Sequence, residues 1–187
     1  DWPQPVHAQT ARTQNVVLKA ILDPGESWQV VRDAGAACDH LAVNHQGEVF
    51  FHDGTENCWR RLASDGKIID EPSLAADKVI AFDAEGRSVT ASDIRATCLT
   101  STHHGRLYAT DAEVGEVWLI RPDGTKTLLD EGLRHPTGIA LTPDGLWLAV
   151  MESGTHCGYN YRVKSDGTVD LKQRFYWLHV PDWADGS

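Results

Sequence analysis

The segment HLAVNHQGEVFFHD at positions 40–53 is the first copy of a pattern that recurs along this chain. It has a short apolar run, a polar turn ending in Gly47, a second apolar run and a closing acid. The pattern returns as CLTSTHHGRLYATD at positions 98–111 and as GIALTPDGLWLAVME at positions 138–152. Two apolar runs joined by a glycine-bearing turn are typical of an antiparallel hairpin, so each copy predicts one.

A second type of hairpin follows the first at a regular distance. Its turns end in Gly66, Gly86, Gly124 and Gly167, and the first-to-second spacings are 19 (47 to 66), 19 (105 to 124) and 22 (145 to 167) residues. Two hairpins make a four-stranded sheet, and a four-stranded unit of about 40 residues is typical of a β-propeller blade. The sequence therefore predicts an all-β protein built as a propeller.

One blade is shorter than the others in this interpretation. The hairpin at Gly86, taken as the second type, follows Gly66 by only 20 residues, so a first hairpin of about 20 residues is missing near positions 72–77. The count is then three to three and a half blades, and closed propellers usually have four to eight. We therefore expect this chain to be part of a larger ring, completed by more chain, by self-association or by a second chain.

Composition sets broad limits on the function. Residues 1–14 are predicted to be a polar leader, and residues 15–187 a partial propeller domain. The formal charge of -10 argues against nucleic acid or an anionic membrane as a partner. The first residues lack the pattern of a signal peptide, so the prediction leaves open a cytoplasmic protein or an exported one whose signal has been removed. The four widely spaced cysteines are expected to be free thiols, with one disulfide as the alternative.

The residue eight positions before each first-hairpin glycine carries a short oxygen-bearing side chain. These residues are Asp39, Thr97 and Thr137. The inner strands of a propeller surround its channel, so these oxygens could converge on a hard cation such as Ca²⁺. The alternative is that they only accept hydrogen bonds from turn amides.

Three segments carry a family resemblance. They are HPTGIALTPDG at positions 135–145, GRLYATD at 105–111, and KQR at 172–174 followed by LHVPD at 178–182. These segments resemble blade motifs of the senescence marker protein/gluconolactonase (regucalcin-like) family. The resemblance implies a six-bladed propeller with a divalent cation, commonly calcium, in its channel. It also implies hydrolysis of sugar lactones or related esters by a metal-bound water.

The same resemblance implies a ligand set for that cation. The family's glutamate ligand matches Asp39, and its two asparagine ligands match Thr97 and Thr137. The match to its fourth ligand, an aspartate, is expected beyond residue 187. Asp is shorter than Glu and a hydroxyl is a weaker donor than an amide carbonyl, so the metal site is degenerate, and no catalytic residue is assigned. The alternatives are a non-catalytic propeller that binds a sugar or a protein partner, and a structural assembly unit.

The remaining polar residues have mainly structural interpretations. His156, in a loop at the predicted channel mouth, is a weak candidate for substrate binding. Asp53, Asp111 and Glu152 close the second strands and are predicted to accept loop amides. His45, His103 and His104 fall in turns, and the tryptophans are expected to pack between blades.

Overall fold

The computed structural model of this protein describes residues 38–63 and 65–177. The predicted leader at 1–14, the strand candidates before residue 38 and the motif at 178–182 lie outside the described residues.

The described chain is all β, as predicted. Its fourteen strands are β1 Cys38–Val43, β2 Val49–Asp53, β3 Cys58–Leu62, β4 Ile68–Asp70, β5 Ile80–Phe82, β6 Ser88–Thr90, β7 Cys98–Ser101, β8 Leu107–Asp111, β9 Glu116–Ile120, β10 Lys126–Asp130, β11 Pro136–Leu141, β12 Trp147–Glu152, β13 Cys157–Val163 and β14 Val169–Trp177. Within the described ranges no helix has the length and apolar character to cross a membrane.

The strands form four antiparallel sheets in chain order. Three sheets have four strands each, β1–β4, β7–β10 and β11–β14, and the fourth has only β5 and β6. Three full blades and one half-blade agree with the predicted count, so the described chain is a partial propeller. Completion of the ring by a second chain or a second copy stays a prediction.

The first strands of successive blades lie side by side. β1 contacts β5, β5 contacts β7, and β7 contacts β11. These are the inner strands of the propeller, which surround its channel. β5 is one of them, so the hairpin at Gly86 is the first hairpin of its blade, and its assignment to the second type is wrong.

The turn chemistry explains the correction. Asp83 Oδ1 accepts the amides of Glu85 and Arg87 at 3.0 and 2.8 Å, as Asn44 Oδ1 accepts two amides in the turn after β1. Thr102 Oγ1 also accepts two turn amides, and Thr142 Oγ1 accepts the amide of Trp147.

Outer hairpins have a different turn. Their equivalent positions hold residues without such an acceptor, and the aspartate just before the turn glycine accepts the amide instead, namely Asp65, Asp123 and Asp166. The missing hairpin of the half-blade therefore belongs after β6, where residues 91–97 lead directly to β7, and not near positions 72–77.

Apolar side chains fill each interface between neighbouring blades. The interface between the first blade and the half-blade contains Phe50, Trp59 and Ile80. The interface between the half-blade and the β7–β10 blade contains Ala81, Leu99, Leu107, Ala109 and Ile120. The interface between the β7–β10 and β11–β14 blades is filled by Tyr108, Val117, Leu119, Ile139, Leu148, Val150 and Tyr161. Trp59 is 1% exposed, which confirms the predicted packing role for this tryptophan. Burial of apolar area between blades stabilises the arrangement.

Two leucines of one hairpin test this interface. Leu148 is fully buried between blades, whereas Leu146 is 55% exposed. We expect Leu148→Ala to lower the free energy of unfolding by about 2–5 kcal/mol, and Leu146→Ala to change it by less than about 0.5 kcal/mol. Urea unfolding midpoints measure both, and equal effects would contradict the interface.

Candidate functional site

Asp39 and Thr137 are each the extra residue of a β-bulge at the start of an inner strand. Asp39 lies between the cross-strand pairs Cys38↔Asp53 and His40↔His52, and Thr137 lies in the same place of β11. Thr97 directly precedes β7, and its amide donates to the carbonyl of Thr110 at 2.7 Å. Bulges re-aim side chains and occur often at functional sites. The three predicted residues thus occupy one repeat-equivalent position.

The corrected half-blade adds a fourth residue that the sequence analysis missed. Eight positions before Gly86 stands Lys78, on the approach to β5. Its side chain is 55% exposed, and its ammonium lies 3.3 Å from Asp77. We call Asp39, Lys78, Thr97 and Thr137 the ring positions. The Asp83 side chain, three residues before Gly86, was the signal that could have identified Lys78.

The Asp39 carboxylate is paired with a histidine of the neighbouring strand. Asp39 Oδ1 lies 2.7 Å from His52 Nδ1. The imidazole is 7% exposed, whereas the Asp39 side chain is 50% exposed. Asp39 therefore has one oxygen held by a buried group and a side chain that still reaches solvent.

Aromatic rings support this pair. The rings of His40 and Trp59 stack with centroids 6.4 Å apart, and His52 meets Trp59 edge-on at 5.5 Å. Burial lowers the pKa of His40; the charge of Asp39 opposes this shift and His52 adds to it. His40 and His52 thus both pack against the buried Trp59 ring.

The other ring positions differ in their freedom. The Thr97 hydroxyl accepts the amide of Ala112 at 3.0 Å, as the turn-amide alternative predicts for this residue. Thr137 is exposed. The ring therefore offers one partly exposed carboxylate, an exposed hydroxyl, an engaged hydroxyl and an ammonium.

These residues supply few of the ligands that a calcium site needs. Ca²⁺ takes six to eight oxygen ligands, usually with several carboxylates. Here the single ring carboxylate is bonded to His52, and Lys78 brings a positive charge to an equivalent position. In residues 38–63 and 65–177, no group of three or more His, Cys, Asp or Glu side chains could hold a metal ion.

The acids that close the second strands accept loop amides, as predicted. Asp53 Oδ1 accepts the amides of Thr55 and Glu56 at 3.0 and 3.2 Å. Asp111 accepts two amides in the equivalent turn. Glu152 accepts the Arg134 amide and the hydroxyls of Thr155 and Tyr159.

His156 lies in the turn between β12 and β13 and is exposed. Its φ is 57°, and the equivalent turns place Asn57 at 52° and Gly115 at 80°. Left-handed residues at this point allow the turn to enter the third strand. This geometry gives His156 a conformational role, and substrate binding by His156 stays a prediction.

Comparison with solved structures identifies the architecture. A gluconolactonase-like protein superimposes with a TM-score of 0.65 and 16% identity, over 82% of this chain and 68% of that one. The virginiamycin B lyase of Staphylococcus aureus gives 0.51 and 16%, over 84% and 60% of the two chains. The chain has the β-propeller fold of the gluconolactonase-like proteins. At these identities the likeness concerns the fold.

One curated protein is similar in sequence. The vitellogenin receptor Yl of Drosophila melanogaster is 33% identical over 81 residues, which is 42% of this chain and 4% of the receptor. No protein-family model matches the chain.

Glu152, the acid at the end of β12, should make the stability of the fold depend on pH. Burial raises the pKa of Glu152, but the bonds from Thr155, Arg134 and Tyr159 outweigh it, so the pKa lies below its usual value. A lowered folded-state pKa stabilises the fold above the unfolded value of about 4.3, and this stability is lost as the pH falls through the folded value.

Glu152→Gln should therefore unfold more easily than the parent at pH 7, and the difference should shrink below about pH 4. Thermal melts across this range measure it. A difference that stays constant with pH would contradict the assignment.

Proposed function

We propose that this propeller is a binding module that takes a small, uncharged, polyhydroxylated ligand, a sugar or a sugar lactone, at the ring positions. The observation that carries the proposal is the Asp39–His52 bond. It commits the single ring carboxylate to an imidazole, where metal-dependent hydrolysis needs a cluster of oxygen ligands.

The chemistry of the ring favours a neutral polyol. A carboxylate accepts hydrogen bonds, an ammonium donates them, and a threonine hydroxyl does both. A sugar hydroxyl donates and accepts as well, so it can match each of these groups. The half-buried His40, which follows Asp39 in the chain, stacks on the buried Trp59 ring.

The similar proteins are compatible with binding or with catalysis. They include a lyase and a receptor as well as a gluconolactonase-like protein. One fold carries many functions, and function depends on the site. The chemistry of the ring residues is therefore what favours binding.

Asp39 is the residue to test. Asp39→Asn should weaken binding of neutral polyols, such as sorbitol and myo-inositol, by about tenfold, the loss expected for one hydrogen bond to a charged group. Isothermal titration calorimetry measures the dissociation constant. The matched control is Asp70→Asn, whose carboxylate is 74% exposed on an outer strand, and it should bind as the parent does. No measurable binding of either polyol or of glucono-lactone would contradict the proposal.

Hydrolysis of sugar lactones with a divalent cation is the second candidate. It is supported by the position of Asp39, a half-exposed carboxylate at the start of an inner strand, which the family resemblance matches to a metal ligand. If it holds, Asp39 would bind the cation with Thr97 and Thr137 beside it. The cation would supply polarisation of the lactone carbonyl.

Calcium separates the two candidates. The binding proposal predicts that millimolar Ca²⁺ leaves the melting temperature of the parent unchanged and that lactone opening, followed in a pH-stat, does not exceed the buffer rate. A calcium-dependent rise in melting temperature that Asp39→Ala abolishes, together with lactone opening, would favour the hydrolase. An equal rise in Asp39→Ala would assign calcium to another part of the chain.

A further inference from the structure

His52, the partner of Asp39, lies at a position where the fold does not require a histidine. His52 pairs across the strands with His40, and the equivalent pairs in the other full blades are Cys98↔Thr110 and Gly138↔Met151. Threonine and methionine serve at the same register point. An imidazole here is therefore a feature of the first blade, where the ring residue is an acid.

The contact defines how His52 is used. A carboxylate has only acceptor atoms, so the shared hydrogen belongs to His52 Nδ1, which donates to Asp39 Oδ1 over 2.7 Å. This bond fixes which ring nitrogen carries the hydrogen. It also fixes the orientation of the carboxylate, because the imidazole itself is buried.

The rest of the imidazole is held by packing. His52 Nε2 is buried and has no hydrogen-bond partner among the described residues. A buried polar atom without a partner is unfavourable and calls for a reason in a native structure. Trp59 meets the His52 ring edge-on. The Trp59 Nε1–H is already donated to the Lys78 carbonyl at 3.2 Å, so it is not available to His52. Among the described residues, the bond to Asp39 is therefore the polar contact that orients His52.

We propose that His52 is the positioning residue of Asp39, and that its Nδ1–H holds the carboxylate at the ring so that the other oxygen is left for a ligand. This inference rests on the proposed binding function and adds the residue on which its geometry depends. In this proposal the His52 side chain holds the Asp39 carboxylate in place, as a bound metal ion otherwise would.

Nitrogen-15 NMR of the histidine side chains tests the bond without any ligand. We expect the spectrum of the parent protein to show hydrogen on His52 Nδ1 at neutral pH, and we expect Asp39→Leu to remove this preference. Hydrogen resident on Nε2 alone, or a spectrum unchanged in Asp39→Leu, would overturn the proposal.

Binding of sorbitol provides the second readout. His52→Leu should weaken it about tenfold, whereas His52→Asn should stay close to the parent, because its amide N–H can replace Nδ1–H. His103→Asn, in an exposed turn, is the matched control, and melting temperatures verify that each variant folds. Equal binding by His52→Leu and His52→Asn would overturn the positioning role. Absence of sorbitol binding in the parent would count against the proposed function alone, since the NMR measurement still decides the His52–Asp39 bond.

Discussion

Packing of each inner hairpin against the next is the interaction on which the structure depends. The half-blade shows this most clearly, since it has only β5 and β6 and yet joins two full blades. Ile80 faces one neighbour and Ala81 faces the other, and both are buried. The alternation of a strand sends successive side chains to opposite faces, so the short strand β5 contributes a buried side chain to each of the two interfaces. The outer hairpin can be absent because the channel-lining strand remains.

The ring positions can hold side chains of different chemistry because they lie outside the packed interfaces between blades. A bulged residue is the extra one in its ladder, so it neither pairs across the strands nor belongs to the apolar alternation. Asp39 and Thr137 occupy this place without disturbing β1 or β11. Under the proposed function, a substitution at Asp39 or Thr137 would change the chemistry of the ring without replacing an apolar side chain of the blade interfaces. In this chain the resulting set is one carboxylate, one ammonium and two hydroxyls, which suits hydroxyl groups better than a bare cation.

Local patterns predicted the blades, and the register of paired strands lay beyond them. Glycine spacing, apolar alternation and turn residues are short-range signals, and they gave the all-β propeller, the blade count and the roles of Asp53, Asp111 and Glu152. The Gly86 hairpin was assigned to the wrong type because spacing alone was used, while the acceptor Asp83 would have grouped it with Asn44. The His52–Asp39 bond joins residues 13 apart across a bulge, and a bulge shifts the pairing by one residue. Without the bulge location, no count along the sequence brings these two side chains together.

We propose that the ring positions on successive inner strands form one binding site. Amide chemical-shift mapping during a titration with sorbitol tests it most directly, because each ring residue has its own backbone signal. We expect the amides of Asp39, Lys78, Thr97 and Thr137 to shift together, with a single dissociation constant. Shifts confined to outer strands, or ring amides that respond with unrelated affinities, would contradict it.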